Sequence, residues 1–182
     1  MADYKGIKGF TVQSLSTDTA ASQVGAGTWA SGGDLNTARQ WLAAAGIKTA
    51  TLAIGGEAPV GALAETYDGT SWTAVNAMNT ARGYLAGFGT QPAAIAAGGS
   101  EPGSSALVEQ FDGTNWSEVN ALNTARNGLA SGVKGTTSAG IVFGGTGGTA
   151  LTEKWNGTGW TETGDLNTGR FRLGGAGTVT AA

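Results

Sequence analysis

The stretch ETYDGTSWTAVNAMNTAR, residues 65–82, recurs as EQFDGTNWSEVNALNTAR at 109–126 and as EKWNGTGWTETGDLNTGR at 153–170. A weaker copy, SQVGAGTWASGGDLNTAR, covers residues 22–39. The spacings between the tryptophans of successive copies are 43, 44 and 44 residues, for Trp29, Trp72, Trp116 and Trp160. Self-similarity at a fixed period of this length is typical of repeat architectures such as solenoids and propellers.

Each repeat has the pattern of four short strands. The Asp-Gly or Asn-Gly pair before the Trp favours a hairpin, because these residues tolerate positive φ. Strand a follows the Arg of the repeat, and strand b is the apolar run that ends in a Gly pair. Strand c carries an aromatic residue, and strand d begins at the Trp. Four strands in every repeat are typical of a β-propeller blade.

The order of features in each copy resembles the kelch repeat over roughly residues 20–182. These features are the Gly pair, the aromatic residue, the Trp and the Asn-Thr-Ala-Arg sequence. The resemblance implies an all-β, kelch-like β-propeller of about four blades. Three blades are complete, and the fourth is divided between the termini. The simplest arrangement is a four-bladed ring. Because kelch rings usually have more blades, an eight-bladed ring shared by two chains is the alternative.

The two ends of the chain are expected to complete the fourth blade. Residues 1–20 are interpreted as an N-terminal arm, an anchor or a ring-closing strand, and residues 21–182 as the propeller domain. The segment GFTVQS alternates like a strand. We therefore predict that Phe10 and Val12 pair with residues around Gly177 to Thr180, which would leave the last blade without an exposed edge.

Residues that recur at one position of the repeat are expected to be structural. The recurrent tryptophans are predicted to pack between blades. The recurrent charges are Arg39, Arg82, Arg126 and Arg170, together with Glu65, Glu109 and Glu153. Because an unpaired buried charge is costly, these residues are predicted to form buried ion pairs or hydrogen bonds between blades. The first copy has Ser22 in place of the Glu.

A binding function is expected where the repeats differ. The residues directly after each Arg vary, and the bulky or charged ones among them are Trp41, Tyr84, Phe171 and Arg172. They precede or begin strand a, near one mouth of the predicted propeller. They form either a ligand platform or a protein contact patch. The other interpretation is local packing without a binding role.

The composition argues against several classes of function. The 182 residues include no His and no Cys, so the usual general base, the usual zinc ligands and a Ser-His triad are absent. The Gly pairs lack the context of a phosphate-binding loop. Charged residues are 13% of the chain with a net charge of -3, which does not favour nucleic acid as a partner. We expect a non-catalytic protein with no metal, no cofactor and no membrane insertion.

The opening MADYKGIKGFTVQSLSTD, followed by GTWASGGDLNTAR, resembles the start of virion structural or fibre proteins of marine bacteriophages. The resemblance implies a virion protein, either a fibre, a tail or a capsid-surface component, that mediates assembly or host-surface attachment. Its expected partners are other virion proteins and further copies of the chain. The alternative is a glycan-binding, lectin-like propeller that uses the rim aromatics, with a host-surface glycan as its ligand.

Overall fold

The computed structural model describes residues 31–57, 59, 61–100, 102–132 and 134–178. The chain divides after Ser31 into two units, and all described residues except Ser31 belong to the second, Gly32–Ala182. Three features of the sequence analysis lie outside the described residues: Trp29, Ser22 and the predicted strand at Phe10 and Val12. The proposed pairing of the two chain ends therefore stays a prediction.

The described residues confirm the all-β class, with three antiparallel sheets of four consecutive strands each. The first sheet contains β1 (Ala43–Ile47), β2 (Ala50–Ile54), β3 (Ala64–Tyr67) and β4 (Trp72–Val75). The second contains β5 (Ala86–Thr90), β6 (Ala93–Ala97), β7 (Val108–Phe111) and β8 (Trp116–Val119). The third contains β9 (Ala130–Ser131), β10 (Gly140–Phe143), β11 (Thr152–Trp155) and β12 (Trp160–Glu162). Strands c and d of the repeats correspond to the last two strands of each sheet.

The hairpin between the last two strands of each sheet has the same construction in all three repeats. In the second repeat, Asp112 Oδ1 accepts hydrogen bonds from the backbone N–H groups of Thr114 and Asn115, at 2.8 and 2.7 Å. Gly113 has φ 97°, a conformation that favours glycine. Phe111 lies opposite Trp116 across the hairpin, and their ring centroids are 5.0 Å apart. The Asp-Gly signal therefore places the aromatic pair beside the turn.

The apolar core lies between neighbouring sheets. One cluster joins the first two sheets and includes Leu52, Ile54, Ala96, Phe111 and Trp116. A second cluster joins the second and third sheets and includes Phe88, Ile95, Val142, Trp155 and Trp160. The first strands of neighbouring sheets, β1, β5 and β9, lie side by side in this order. Small residues allow this approach, since a Cβ atom on Gly87 would be 2.9 Å from the Ala44 carbonyl oxygen.

The fourth repeat differs from its prediction. The sequence predicts strand a after Arg170, but residues 171–178 contain no strand. A strand needs a neighbour that satisfies its backbone N–H and C=O groups. This segment instead makes isolated backbone hydrogen bonds, such as the one from the Lys134 N–H to the Gly177 oxygen at 3.2 Å. The described residues thus form three sheets rather than the predicted four, and the other predicted strands of the fourth lie in residues 1–30, which are not described.

Candidate functional site

The recurrent Asn-Thr-Ala-Arg sequence, Asn-Thr-Gly-Arg in its last copy, lies twice in a segment that joins two described sheets. The other two copies lie before the first described sheet and after the third. We call residues 33–39, 76–82, 120–126 and 164–170 the connectors. In the second connector, the backbone N–H groups of Met78 and Arg82 donate to the oxygens of Ala62 and Gly61, at 2.8 and 2.9 Å. These acceptors lie just before β3, in the first repeat. The backbone of the connector is therefore attached to the repeat that precedes it.

The side chain of Arg82 reaches in the other direction, into the second sheet. Its guanidinium donates to the backbone oxygens of Gly98 and Leu107, at 3.1 and 2.6 Å, and to Glu109 Oε1 at 2.8 Å. Both charged side chains are almost fully buried. Burial lowers the pKa of Arg82, and the negative charge of Glu109 opposes this shift. The ion pair thus links the connector to the sheet that follows it.

Asn79 and Trp116 complete this link. The Asn79 N–H donates to Glu109 Oε2 at 2.7 Å, and its side-chain amide donates to the Trp116 backbone oxygen at 3.0 Å. The Trp116 indole N–H donates to the backbone oxygen of Asn76 at 2.9 Å. The connector and the second sheet therefore exchange hydrogen bonds in both directions, and both oxygens of the Glu109 carboxylate accept from the connector.

The third connector repeats this arrangement. Arg126 donates to Gly144, Leu151 and Glu153, at 3.0, 2.8 and 2.7 Å. In the first connector, the buried Arg39 guanidinium lies 2.9 Å from Glu65 Oε1, but without the alignment of a hydrogen bond. Recurrence of Arg and Glu in the sequence thus corresponds to three ion pairs in the described residues. Of the recurrent tryptophans, Trp116 and Trp160 are buried and Trp72 is half-buried.

The fourth connector has no such link within the described residues. Arg170 is exposed, and the described part of the chain offers it no ion pair and no side-chain hydrogen bond. Its backbone still follows the pattern, because the Arg170 N–H donates to the Thr149 oxygen at 3.2 Å. In the first copy of the repeat, Ser22 stands at the position where the other copies have Glu, and Ser22 lies outside the described residues.

The second residue after each recurrent Arg has an unusual backbone conformation. Trp41, Tyr84, Gly128 and Arg172 have φ values of 60°, 54°, 62° and 54°. Consecutive members are joined by backbone hydrogen bonds of 2.8 Å, from Tyr84 to Trp41, from Gly128 to Tyr84 and from Arg172 to Gly128. Positive φ costs a non-glycine residue roughly 1–2 kcal/mol. Only the third repeat has the glycine that this conformation favours.

The predicted rim residues come together in space, and we call Trp41, Tyr84, Phe171 and Arg172 the rim cluster. The rings of Trp41 and Tyr84 are stacked, with centroids 4.8 Å apart and an interplanar angle of 18°. The Arg172 guanidinium carbon lies 4.6 Å from the Trp41 centroid and 5.0 Å from those of Tyr84 and Phe171. Trp41 and Phe171 are 39% and 42% exposed, so part of each ring is open to solvent.

Gly128 also belongs to this site, although it was not among the predicted rim residues. A Cβ atom at Gly128 would overlap the ring edge of Phe171, which occupies the space that a side chain would need. The signal in the sequence was its register, since Gly128 aligns with Trp41, Tyr84 and Arg172. The absence of a side chain in one repeat therefore makes room for an aromatic ring from the next.

A cavity of about 180 Å³ opens at the rim cluster. Its walls combine rim residues with the leucines that follow them, and they are Trp41, Leu42, Tyr84, Leu85, Gly128, Leu129, Arg172 and Leu173. Among the described residues of this lining, Arg172 is the one that carries a charge. Unlike Arg39, Arg82 and Arg126, it has no carboxylate partner within the described residues. The site is thus an open recess with leucine and aromatic side chains in its walls, beside a cation that pairs with none of the described carboxylates.

The solved structure of YjhT is similar to this chain, with a TM-score of 0.61 and 12% sequence identity. The similarity covers 74% of this chain and 54% of that structure, so the chain spans about half its length. At this identity the likeness concerns the fold alone. No protein-family model and no curated protein matches the sequence. None of the described residues forms a helix that is long and apolar enough to span a membrane.

Proposed function

We propose that the protein is a kelch-like, four-bladed β-propeller that acts as a non-catalytic structural and binding module. The observation that carries this proposal is the contact between the first and the last repeat. Backbone hydrogen bonds lead from Arg172 through Gly128 and Tyr84 to Trp41, and the Arg172 side chain then lies over the Trp41 ring. The fourth of these equivalent positions thus contacts the first through its side chain, and this contact supports a ring of four repeats.

The same contact favours a ring within one chain over a ring shared by two chains. In an eight-bladed ring, each chain forms half a circle, which separates its first repeat from its last. The contact of Arg172 with both Trp41 and Tyr84 does not fit that separation. Light scattering of the purified protein tests this point. We expect the mass of one 18.0 kDa chain, and a stable species of twice that mass would favour the shared ring.

The proposal of a non-catalytic role rests on the chemistry of the available side chains. The sequence contains no His and no Cys. Glu65, Glu109 and Glu153 are buried against arginines, which leaves them unable to reach a substrate. Asp68 and Asp112 accept backbone hydrogen bonds in hairpin turns. A general acid-base pair would need carboxylates that reach a substrate in a cleft.

Within this module class, we propose that the protein is a bacteriophage virion component with a role in assembly or host attachment. The support is the N-terminal resemblance of residues 1–18 and 27–39 to virion structural and fibre proteins. Mass spectrometry of purified virions from the source of the sequence tests the proposal, and we expect the chain in stoichiometric amounts. A chain that occurs only in the infected-cell lysate would contradict it.

A glycan-binding propeller is the second candidate, and the exposure of Trp41 and Phe171 favours it. Aromatic faces of this kind can stack on the apolar face of a sugar ring. A glycan array with the wild-type chain and a Trp41→Ala variant separates the two candidates. Binding to one glycan class that is lost in the variant would support the second candidate.

A further inference from the structure

The rim cluster combines features of a protein-binding hot spot. Trp, Tyr and Arg are the residue types that most often dominate the binding energy of protein interfaces. Here one residue of each type surrounds a small cavity, and the exposed Phe171 lies beside them. Three of these positions, Trp41, Tyr84 and Arg172, also have a backbone conformation that disfavours any side chain. The third repeat has Gly128 at the equivalent position, and the ring of Phe171 fills the space of the missing side chain.

The surroundings of Arg172 indicate the charge of the ligand. Its guanidinium carbon lies over three aromatic rings, and its N–H donors have no acceptors among the described residues. Planar N–H donors of this kind match a carboxylate. The chain has a net charge of -3, so this cation is a local feature on an acidic protein. An anionic ligand would therefore be attracted by Arg172 itself and not by the net charge of the protein.

The walls of the cavity indicate the rest of the ligand. The described part of the walls has Arg172 as its one charged group and includes Leu42, Leu85, Leu129 and Leu173. Recognition of a sugar relies on several convergent hydrogen-bonding groups, whereas an aliphatic side chain needs an apolar recess of suitable size. Leucine is the most frequent residue type among the described residues of this lining, so an aliphatic side chain would find apolar contacts there. The lining thus favours a peptide over a saccharide.

We propose that the rim cluster docks a segment of a partner protein in which an aliphatic residue is followed by an acidic one. The aliphatic side chain enters the cavity, and the carboxylate binds the N–H donors of Arg172. This inference rests on the proposed binding function and specifies the partner chemistry of that site. It assigns no ligand role to the buried arginines of the connectors.

Nuclear magnetic resonance titration with short probe peptides tests the proposal. The probes are Ac-Leu-Glu-NH2 and its uncharged isostere Ac-Leu-Gln-NH2, added at millimolar concentrations to the full chain labelled with nitrogen-15. We expect the acidic peptide to shift the Trp41 indole N–H and Arg172 Nε–H signals and to bind about tenfold more tightly than the isostere. Equal binding of both peptides, or shifts confined to other residues, would overturn the proposal.

Two variants separate recognition from folding. In Arg172→Gln the preference for the acidic peptide should disappear, while the thermal transition confirms that the chain is folded. Lys48→Gln removes the same charge at an exposed position after β1 and should retain the preference. If Arg172→Gln fails to fold, Arg172→Lys serves instead, and we expect a weaker but measurable preference because the charge remains and the planar donors are lost. An unchanged preference in a folded Arg172→Gln chain would contradict the proposal.

A saccharide arm distinguishes this inference from the glycan candidate. Methyl glucuronide carries a carboxylate on a sugar ring, and methyl glucoside is its uncharged counterpart. We expect neither to bind as tightly as Ac-Leu-Glu-NH2. Tighter binding of the glucuronide would overturn the peptide assignment. The presence of the chain in purified virions is independent of these titrations, so the virion proposal and this inference can fail separately.

Discussion

Each rim-cluster residue follows the Arg of a connector by one or two positions in the chain. The connectors and the rim cluster nevertheless use arginine in opposite ways. Arg82 is buried, and its donors have two backbone oxygens and a carboxylate as acceptors. Arg172 is exposed and its guanidinium lies against the faces of aromatic rings. The first arrangement recurs in the third connector, whereas the second occurs once among the described residues. Recurrence therefore marks the residues that join one sheet to the next, whereas the binding role that we propose falls on residues that do not recur.

The largest effect is expected where a connector loses its cation. Arg82→Ala leaves the Glu109 carboxylate buried without its partner, and breaking a buried ion pair in this way costs about 3–5 kcal/mol of unfolding free energy. Urea denaturation measures the change. Arg170→Ala is the matched control, because Arg170 has the same repeat position but is exposed, and it should cost under about 1 kcal/mol. Equal losses in both variants would remove the distinction between the connectors.

Removal of a recurrent tryptophan is expected to have the next largest effect. Trp116 is buried, contacts Phe111 and donates to Asn76. Trp116→Ala should therefore lower the unfolding free energy by about 3 kcal/mol, near the lower end of the range for large buried aromatics. Trp72→Ala is the control, and a smaller loss is expected because Trp72 is only half-buried. A folded Trp116→Ala chain of wild-type stability would assign this tryptophan to binding instead.

A smaller effect is expected from exchanging glycine and side chain at the rim. Gly128→Ala adds a Cβ atom at positive φ and against the Phe171 ring, so we expect a loss of about 1–2 kcal/mol. In Tyr84→Gly, the relief of backbone strain is offset by the lost stacking on Trp41, which is worth about 0.5–1.5 kcal/mol. The net change should stay within about 1 kcal/mol. Thermal denaturation of both variants checks the difference, and a larger loss for Tyr84→Gly would show a core role for Tyr84.

The smallest effect concerns the hairpin turns and depends on pH. Hydrogen bonds from the N–H groups of Asn115 and Thr114 hold the pKa of Asp112 below its ordinary value. The stability from this ionised group is present above the unfolded-state pKa and is lost as pH falls through the lower folded-state pKa. Asp112→Asn should keep the turn, because Asn156 accepts the same two bonds in the third repeat.

The dependence of stability on pH, measured for both chains, tests this expectation. Wild-type stability should decline on acidification below about pH 5, and the decline should be shallower in Asp112→Asn. At neutral pH the two chains should unfold at nearly the same urea concentration. Parallel pH profiles would mean that the Asp112 carboxylate does not contribute through its hydrogen bonds.

The sequence predicted the repeating parts of the molecule well, for a physical reason. A hairpin depends on local turn residues, so Asp112-Gly113 and the Trp116 that follows place the last two strands of the second repeat. The pairing of Arg82 with Glu109 could also be predicted from the sequence, because a buried charge without an opposite charge beside it is costly. The repeat pattern does not predict which backbone groups form hydrogen bonds with each charged side chain, such as the Asn79 N–H that donates to Glu109.

The unrepeated parts were harder to predict. The positive φ of Trp41, Tyr84 and Arg172 has no local signal in those residues, since each normally avoids that conformation. Only the alignment with Gly128 indicated it. The rim residues were selected from their position in the repeat, but their stacking depends on the approach of different repeats. The absence of a strand after Arg170 likewise depends on a partner strand, which local sequence does not specify.

The carboxylate hydrogen bonds of the connectors have a consequence for the dynamics of the protein. The amide protons of Asn79 and Asn123 donate to the buried carboxylates of the next sheet. These protons would exchange with solvent deuterium only when a connector separates from that sheet. Their exchange rates therefore report the opening of two individual junctions, and a difference between them would identify the junction at which the array of sheets first comes apart.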